Sequence, residues 1–303
     1  AIVQLNPQIG QVGQNVARAT KLITQFKEAL LSSKAPRTPD LVVFPEFALT
    51  GYNFHSRDHI LPYTSKAKEG PSFELAQRVS EMFGCYTVIG YPERSETLDD
   101  SNLYNSAIVV GPDGDLVFNY RKSFLYYTDE DWGCQENPMG FQSFPLVFKD
   151  RATSTVDGKS SVTDVTLKTS IGICMDLSPY KFEAPFQDFE FATYNIDKNN
   201  ELIICPMAWL HSCSITQDSK LEAAQKLQKL RACLEAQSLP THGSQGDFQL
   251  DLDNSNHTER LSSSSDTLNA EYLDMLTPDM SNVNFWIMRF SPFLALQQRH
   301  AWS

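Results

Sequence analysis

No run of about 18 apolar residues occurs in the 303-residue chain, so no membrane-spanning helix is expected. No two cysteines stand as Cys-x-x-Cys, and no cysteine–histidine group has zinc-ligand spacing. The six thiols, Cys85, Cys134, Cys174, Cys205, Cys213 and Cys233, are scattered. That pattern reads as a chain kept reduced rather than stapled by disulfides. Positive charge is scarce: 25 Lys and Arg stand against 37 Asp and Glu, for a formal net charge of -12. This balance argues against nucleic acid or an anionic membrane as the partner and suits a substrate that carries positive charge. His55 and His59 lie four apart and could share a helix face as metal ligands. No third ligand stands near them, so two polar loop residues are the commoner reading and no metal is expected. The sequence opens directly on the strand-like Ala1–Leu5 with neither a basic n-region nor an apolar h-region. It also lacks a starting Met, which leaves room for a trimmed leader.

What is present is an alternation of two periodicities. Strand-like runs are Ala1–Leu5, Leu41–Phe44, Tyr86–Tyr91, Ser106–Val110, Leu116–Asn119, Val165–Ile173 and Leu202–Pro206. Several are nearly continuous in Val, Ile and Leu, as in sheets buried on one or both faces. "GPDGDLVF" punctuates two of them and predicts a hairpin. Between the strands, Val16, Ala19, Ile23, Phe26 and Leu30 fall on one helical face, as do Phe73, Ala76, Val79 and Phe83. The second helix is expected to start with Ser72 as N-cap and to stop at Gly84. The order β-α-β-α-β followed by hairpins indicates an α/β layered fold with a mixed sheet. "KDRATSTVDGKSSVTDV" reads as a solvent-facing hairpin or loop. Beyond Trp209 comes a helix candidate with Leu221, Ala224, Leu227, Leu230 and Leu234. A Ser-, Asp- and Asn-rich stretch follows, of linker composition. Order is expected to resume at "NVNFWIMRFSPF".

Three residues fit one chemistry. A cysteine nucleophile needs a proton acceptor and a donor for the oxyanion it creates, and no His adjoins any of the motif-like runs. "LVVFPEFALTGYNF" puts Glu46 just past an apolar strand, between Phe44 and Phe47, where a partly desolvated carboxylate suits proton shuttling. "VFNYRKSFLY" puts Lys122 just past another strand, and "IGICMDLSPYKFEAPF" puts Cys174 past a third. Strand C-terminal ends are where α/β sheets gather their sites. Taken singly, each has a commoner role: a solvated turn carboxylate, a solvated edge lysine and a small core thiol. Jointly, with "VQLNPQIGQV", "EGPSFELA", "IGYPE", "NYRKSFLYYTDEDWGC" and "ICPMAWL", they resemble the nitrilase (carbon–nitrogen hydrolase) superfamily over roughly residues 1 to 210.

The resemblance implies an α-β-β-α sandwich that lacks or replaces its last strands. It also implies a single hydrolase domain over 1–303, with an inserted helical and low-complexity segment at about 211–282. It implies amide hydrolysis without a cofactor: Glu46 as base, Cys174 as nucleophile through a thioester, and Lys122 with the Met175 backbone N–H as oxyanion donors. A second acid after the lysine is expected at Glu130, in preference to Glu136. The likeness is greatest to members acting on proteins or peptides with N-terminal Asn or Gln, which they convert to Asp and Glu for N-terminal-residue-dependent degradation. Asp176 is then a candidate for the substrate ammonium, or a structural acid satisfied by Lys181 or backbone N–H groups. Trp209, Tyr52 and Asn53 are further candidate substrate contacts. The alternative is an ω-amidase or carbamoylase of small metabolites. The expected compartment is the cytoplasm, with the nucleus as a further one. Oligomeric state stays open, a monomer being favoured.

Overall fold

A computed structural model describes residues 1–34, 37–95, 102–156, 159–209, 228 and 279–294. Helix α1 (Val12–Leu31) precedes the short strand β1 (Leu41–Val43). A parallel neighbour for β1 needs a crossover connection, and helix α3 (Gly70–Phe83) supplies it before β2 (Tyr86–Arg94), which pairs parallel to β1 from Leu41↔Tyr86. The four-residue α2 (Arg57–Ile60) lies in between. Ser72 is not the N-cap of α3; Glu69 holds that position. Pro71 sits in the first turn, where its missing N–H leaves no bond unmade, and Ser72 is buried inside the helix. Gly84 ends α3 in the left-handed conformation at φ +63°, its N–H turned back to Ser80.

Strand β2 pairs antiparallel with β3 (Leu103–Val110), and β3 with β4 (Leu116–Arg121), closing the hairpin read from "GPDGDLVF". The expected first strand is reduced to a parallel bridge between Ile2 and Val43, with the Val3 N–H on the Val43 carbonyl, because three-residue β1 offers little edge to extend. The second sheet is β5 (Ser143–Val156), β6 (Lys159–Ile171) and β7 (Leu202–Ile204). The polar "KDRATSTVDGKSSVTDV" segment is the far end of the β5–β6 hairpin, with a bulge between Phe148 and Ala152. Helix α5 (Glu190–Asp197) is the crossover that lets β7 pair parallel to β6.

Tyr86, Val88, Ala107, Val109 and Tyr120 of the first sheet pack on Phe144, Leu146, Ile171 and Ile204 of the second. The other face of the first sheet (Val42, Ile89, Tyr91, Ile108) is covered by Ala19 and Ile23 of α1 and by Leu75, Ala76 and Val79 of α3. On the second sheet, α5 lies close enough that a Cβ on Gly172 would come within 2.6 Å of the Phe191 ring. The Ser170 hydroxyl bonds Asn195 of the same helix. Helices therefore cover both outer faces of two stacked sheets, an α-β-β-α sandwich.

Among the described residues no strand follows β7; a helix, α6 (Met280–Arg289), is followed by a turn at Phe290 and by helical residues 291–294. The helix candidate at Leu221–Leu234 lies outside the described residues apart from Gln228, which is helical. The low-complexity stretch beyond it lies outside them altogether. The chain divides into two compact units, Ala1–Trp209 with Trp286–Ser303, and Leu210–Phe285. No helix among the described residues is long and apolar enough to cross a membrane. His55 and His59 pair with each other, the His55 backbone N–H donating to His59 Nδ1 at 3.2 Å. Among the described residues no group of three or more His, Cys, Asp or Glu is placed to hold a metal ion.

Candidate active site

Three strand ends deliver the three chemical groups to one place. After β1 the chain stays on the sheet, with the Phe44 N–H on the Val88 carbonyl, then turns sharply at Phe47, whose φ is +45°. The turn throws the Glu46 side chain inward until it is 1 % exposed. Gly90 of β2 makes this possible: a Cβ there would lie 2.6 Å from the Glu46 Cα. Lys122 leaves β4 with its N–H on the Asn105 carbonyl and is fully buried. Its Nζ lies 2.9 Å from Glu46 Oε1 and 2.7 Å from Asp129 Oδ2. Cys174 follows β6 at the start of a one-turn 3-10 helix, Cys174–Leu177, with φ +45°. A left-handed conformation at a non-glycine residue is costly and persists only where its surroundings impose it. Here the Gly172 and Cys174 N–H groups are tied to the Ile204 and Pro206 carbonyls.

Unlike the fully buried lysine, the Cys174 residue keeps partial solvent access. Burial first, then the facing Glu46 carboxylate, hold its thiol well above the ordinary range, while Lys122 pulls the other way. The thiol thus rests neutral, beside a carboxylate. For Lys122, burial opposes the charge, but Asp129 and Glu46 outweigh it and the ammonium is held well above its usual range. Both Glu46 oxygens are engaged: Oε1 accepts from Asn105 Nδ2 at 2.7 Å as well as from Lys122, and Oε2 accepts from the Ala208 N–H at 2.8 Å.

The acid behind the lysine is Asp129, and the expectation of Glu130 is corrected. Helix α4 (Tyr127–Asp131) spans little more than one turn. Successive residues on it point about 100° apart, so one acid of the D-E-D run faces inward and the next outward. Asp129 is fully buried. Its Oδ1 accepts from Tyr52 Oη at 3.0 Å and Asn105 Nδ2 at 3.1 Å, and its Oδ2 from Lys122 and the Tyr126 N–H. Glu130 is instead solvent-exposed, 3.3 Å from Lys181 Nζ. Glu136 accepts from Tyr180 Oη at 2.9 Å, also on the surface.

Asp176 is not free to meet a substrate ammonium. It is fully buried and accepts from the Ser123, Phe124 and Ile173 N–H groups and from Tyr120 Oη, at 2.7–2.9 Å. Of the two readings open at the sequence level, the structural one holds, through backbone N–H groups and Tyr120 rather than Lys181. Burial pushes its carboxyl up to about 6 against the donors that pull it down.

Tyr52 belongs to the cluster: its ring lies 5.7 Å from Lys122 Nζ, and burial keeps its hydroxyl protonated. Asn53, by contrast, is exposed. Trp209 stands next to Ala208, which caps Glu46, with its ring edge-on to Trp286 at 5.7 Å. The Met175 side chain is core. Its N–H is in the first turn of the 3-10 helix, where N–H groups have no intrahelical acceptor. Two residues escaped the sequence reading besides Asp129. Asn105 bridges the two carboxylates; a polar residue inside the apolar strand "LYNSAIVV" was its only signal. Tyr126, whose N–H meets Asp129 Oδ2, packs its ring 4.0 Å from Tyr127 and edge-on to Phe182.

The sequence model of the carbon–nitrogen hydrolase family matches residues 1–177. The chain is 52% identical over 307 residues to a protein N-terminal amidase of Saccharomyces cerevisiae, covering 99% of this chain and 65% of that one. It thus spans just under two thirds of that relative's length. Two crystal structures of N-terminal amidase, one with an Asn-Glu-Ala peptide and one with a Gln-Val peptide, each superpose with a TM-score of 0.71 at 52% identity. Each match covers 96% of this chain and 67% of the other.

Proposed function

Starting from a chain that belongs to the carbon–nitrogen hydrolase family, we propose that it hydrolyses the side-chain amide of an N-terminal Asn or Gln in proteins and peptides. The observation that carries this reading is the fully buried ammonium of Lys122, shared by Glu46 and Asp129 beneath a half-buried cysteine. The similarity to amidases crystallised with Asn- and Gln-initiated peptides supports the substrate class.

Glu46 takes the proton of the Cys174 thiol as sulfur attacks the amide carbon. A base beside a high-pKa thiol moves the proton only when substrate is in place, so no free thiolate need be maintained. The tetrahedral oxyanion is met by Lys122 Nζ and the Met175 N–H. Removing one such donor typically costs about 3–4 kcal/mol of barrier in other enzymes. Glu46 then passes its proton to the departing nitrogen, ammonia leaves, and a thioester remains on Cys174. Glu46 next draws a proton from water, hydroxide adds to the thioester, and the acid and the thiol are restored. Asp129 and Asn105 keep the charges fixed: Asp129 shares the ammonium with Glu46, and Asn105 spaces the two carboxylates. No step calls for a metal or an organic cofactor. Asp or Glu at a protein N-terminus then feeds degradation that reads N-terminal residues, a role suited to the cytoplasm or nucleus.

Mass spectrometry of peptides beginning Asn, Gln and Gly-Asn, with the wild type and Cys174→Ala, tests the reading. The first two peptides are expected to deamidate with the wild type alone. Deamidation within Gly-Asn would sink the N-terminal specificity, and free asparagine, run alongside, hydrolysed in preference to the peptides would favour an ω-amidase instead.

A further inference from the structure

Besides the Ile204 and Pro206 carbonyls, a side chain from outside the matched family region holds the turn that carries Cys174. Arg289, the last residue of α6, is 2 % exposed. Its Nε donates to the Leu177 carbonyl at 2.6 Å, Nη1 to the Phe186 carbonyl at 2.6 Å, and Nη2 to Glu190 Oε2 at 2.7 Å. The Phe186 and Phe189 rings lie 5.0 and 5.3 Å from its guanidinium carbon. Leu177 closes the one-turn helix that begins with Cys174, and a helix's last carbonyls lack intrahelical partners. A buried carbonyl left unpaired there would destabilise the turn. Residue 177 is also where the match to the family model ends, so this tie comes from a part of the chain that the model does not cover.

We propose that Arg289 is a positioning residue for the oxyanion: by holding the Leu177 carbonyl it fixes the 3-10 turn and so the direction of the Met175 N–H. This inference rests on the amidase reading above, and on its assignment of that N–H. A planar guanidinium alone can serve two carbonyls and a carboxylate in divergent directions; a lysine ammonium is a point donor on a flexible stem. Loosening the turn affects the transition state, where the oxyanion exists, more than ground-state binding.

The test compares Arg289→Lys and Glu190→Gln with the wild type, on an Asn-initiated peptide or, should only that be hydrolysed, on a free ω-amide. Three quantities are measured: kcat and KM, the rate of Cys174 alkylation by iodoacetamide, and the melting temperature. Alkylation displaces iodide and forms no oxyanion, so it reports the thiol without the turn's donor. Arg289→Lys is expected to lower kcat about tenfold or more, with KM and the alkylation rate within twofold. Glu190→Gln, which leaves the Nε bond to Leu177 in place, is expected to keep kcat within twofold. Equal losses in both variants, a parallel fall in alkylation, an unfolded Arg289→Lys or an unchanged kcat would each overturn the inference. A wild type that hydrolyses only the free ω-amide would sink the peptide reading and leave the inference standing. A wild type that hydrolyses neither amide would sink both.

Discussion

Replacing Asp129 by Asn removes one charge and almost no volume. Four donors converge on the carboxylate: Tyr52 Oη and Asn105 Nδ2 on Oδ1, Lys122 Nζ and the Tyr126 N–H on Oδ2. An amide offers one oxygen, so its NH2 must face one pair of these donors. Two buried donors without acceptors cost about 1–3 kcal/mol each, roughly 2–6 kcal/mol together. That is a large share of a typical folding stability of about 5–15 kcal/mol. The ammonium also loses one of the two carboxylates that hold it. Its pKa falls from its raised value, so the protonated fraction drops at lower pH than in the wild type. Urea denaturation should therefore show a loss of a few kcal/mol. Ammonia release from an Asn-initiated peptide should fall about 100-fold or more, the scale of losing one well-placed oxyanion donor. The alkaline limb of its pH profile should move to lower pH. Glu130→Gln, exposed and paired with Lys181 among the described residues, should leave all three within experimental spread. An Asp129→Asn protein with wild-type turnover and an unmoved alkaline limb would refute the charge arrangement argued here.

Glu46→Gln should split two activities of the same thiol. Burial and then the Glu46 carboxylate hold the Cys174 pKa up, so neutralising the carboxylate lowers it. Iodoacetamide alkylation at pH 8 should speed up while amide hydrolysis falls by 100-fold or more; a parallel fall in both would contradict the assignment of Glu46 as base. Gly90→Ala drives a Cβ into the Glu46 backbone, 2.6 Å from its Cα and 2.8 Å from the Pro45 carbonyl. Overpacking of this kind typically costs about 1–3 kcal/mol, and kcat should fall further than that loss of folded protein explains; a melting curve beside kinetics checks it. Asp176→Asn keeps one acceptor for donors on both oxygens. It should lower the melting temperature without altering the preference for N-terminal over internal Asn, which peptide competition measures.

Residues with both a chemical type and a position written in the chain were legible. Glu46, Lys122 and Cys174 each follow an apolar strand, and strand ends converge in layered sheets; it was the joint motif pattern and the family resemblance, not any one of them, that singled them out. Helix α1 and the Gly84 stop were readable from local periodicity and backbone preference. Asp129 was not, because the D-E-D run offers three adjacent acids and only the phase of a five-residue helix decides which turns inward. Asp176 looked available because its partners, Ser123, Phe124 and Tyr120, lie more than 50 residues away on another element. Arg289, 112 residues beyond Leu177, carried no local signal: an arginine ending an apolar helix reads as a favourable C-terminal charge. The strand ends of Ala1–Leu5 and the start of α3 were misplaced for the usual reason, since tertiary partners rather than propensity set where pairing stops.

The central claim is that a sulfur made nucleophilic by Glu46 carries the acyl group. Rapid acid quench of the wild type during turnover of an Asn-initiated peptide, followed by intact-protein and fragment mass analysis, tests it most directly. A transient adduct on Cys174 with the mass of the peptide less ammonia is expected, absent from Cys174→Ala, which releases no ammonia. Turnover that persists in Cys174→Ala, or an adduct on any other residue, would contradict it.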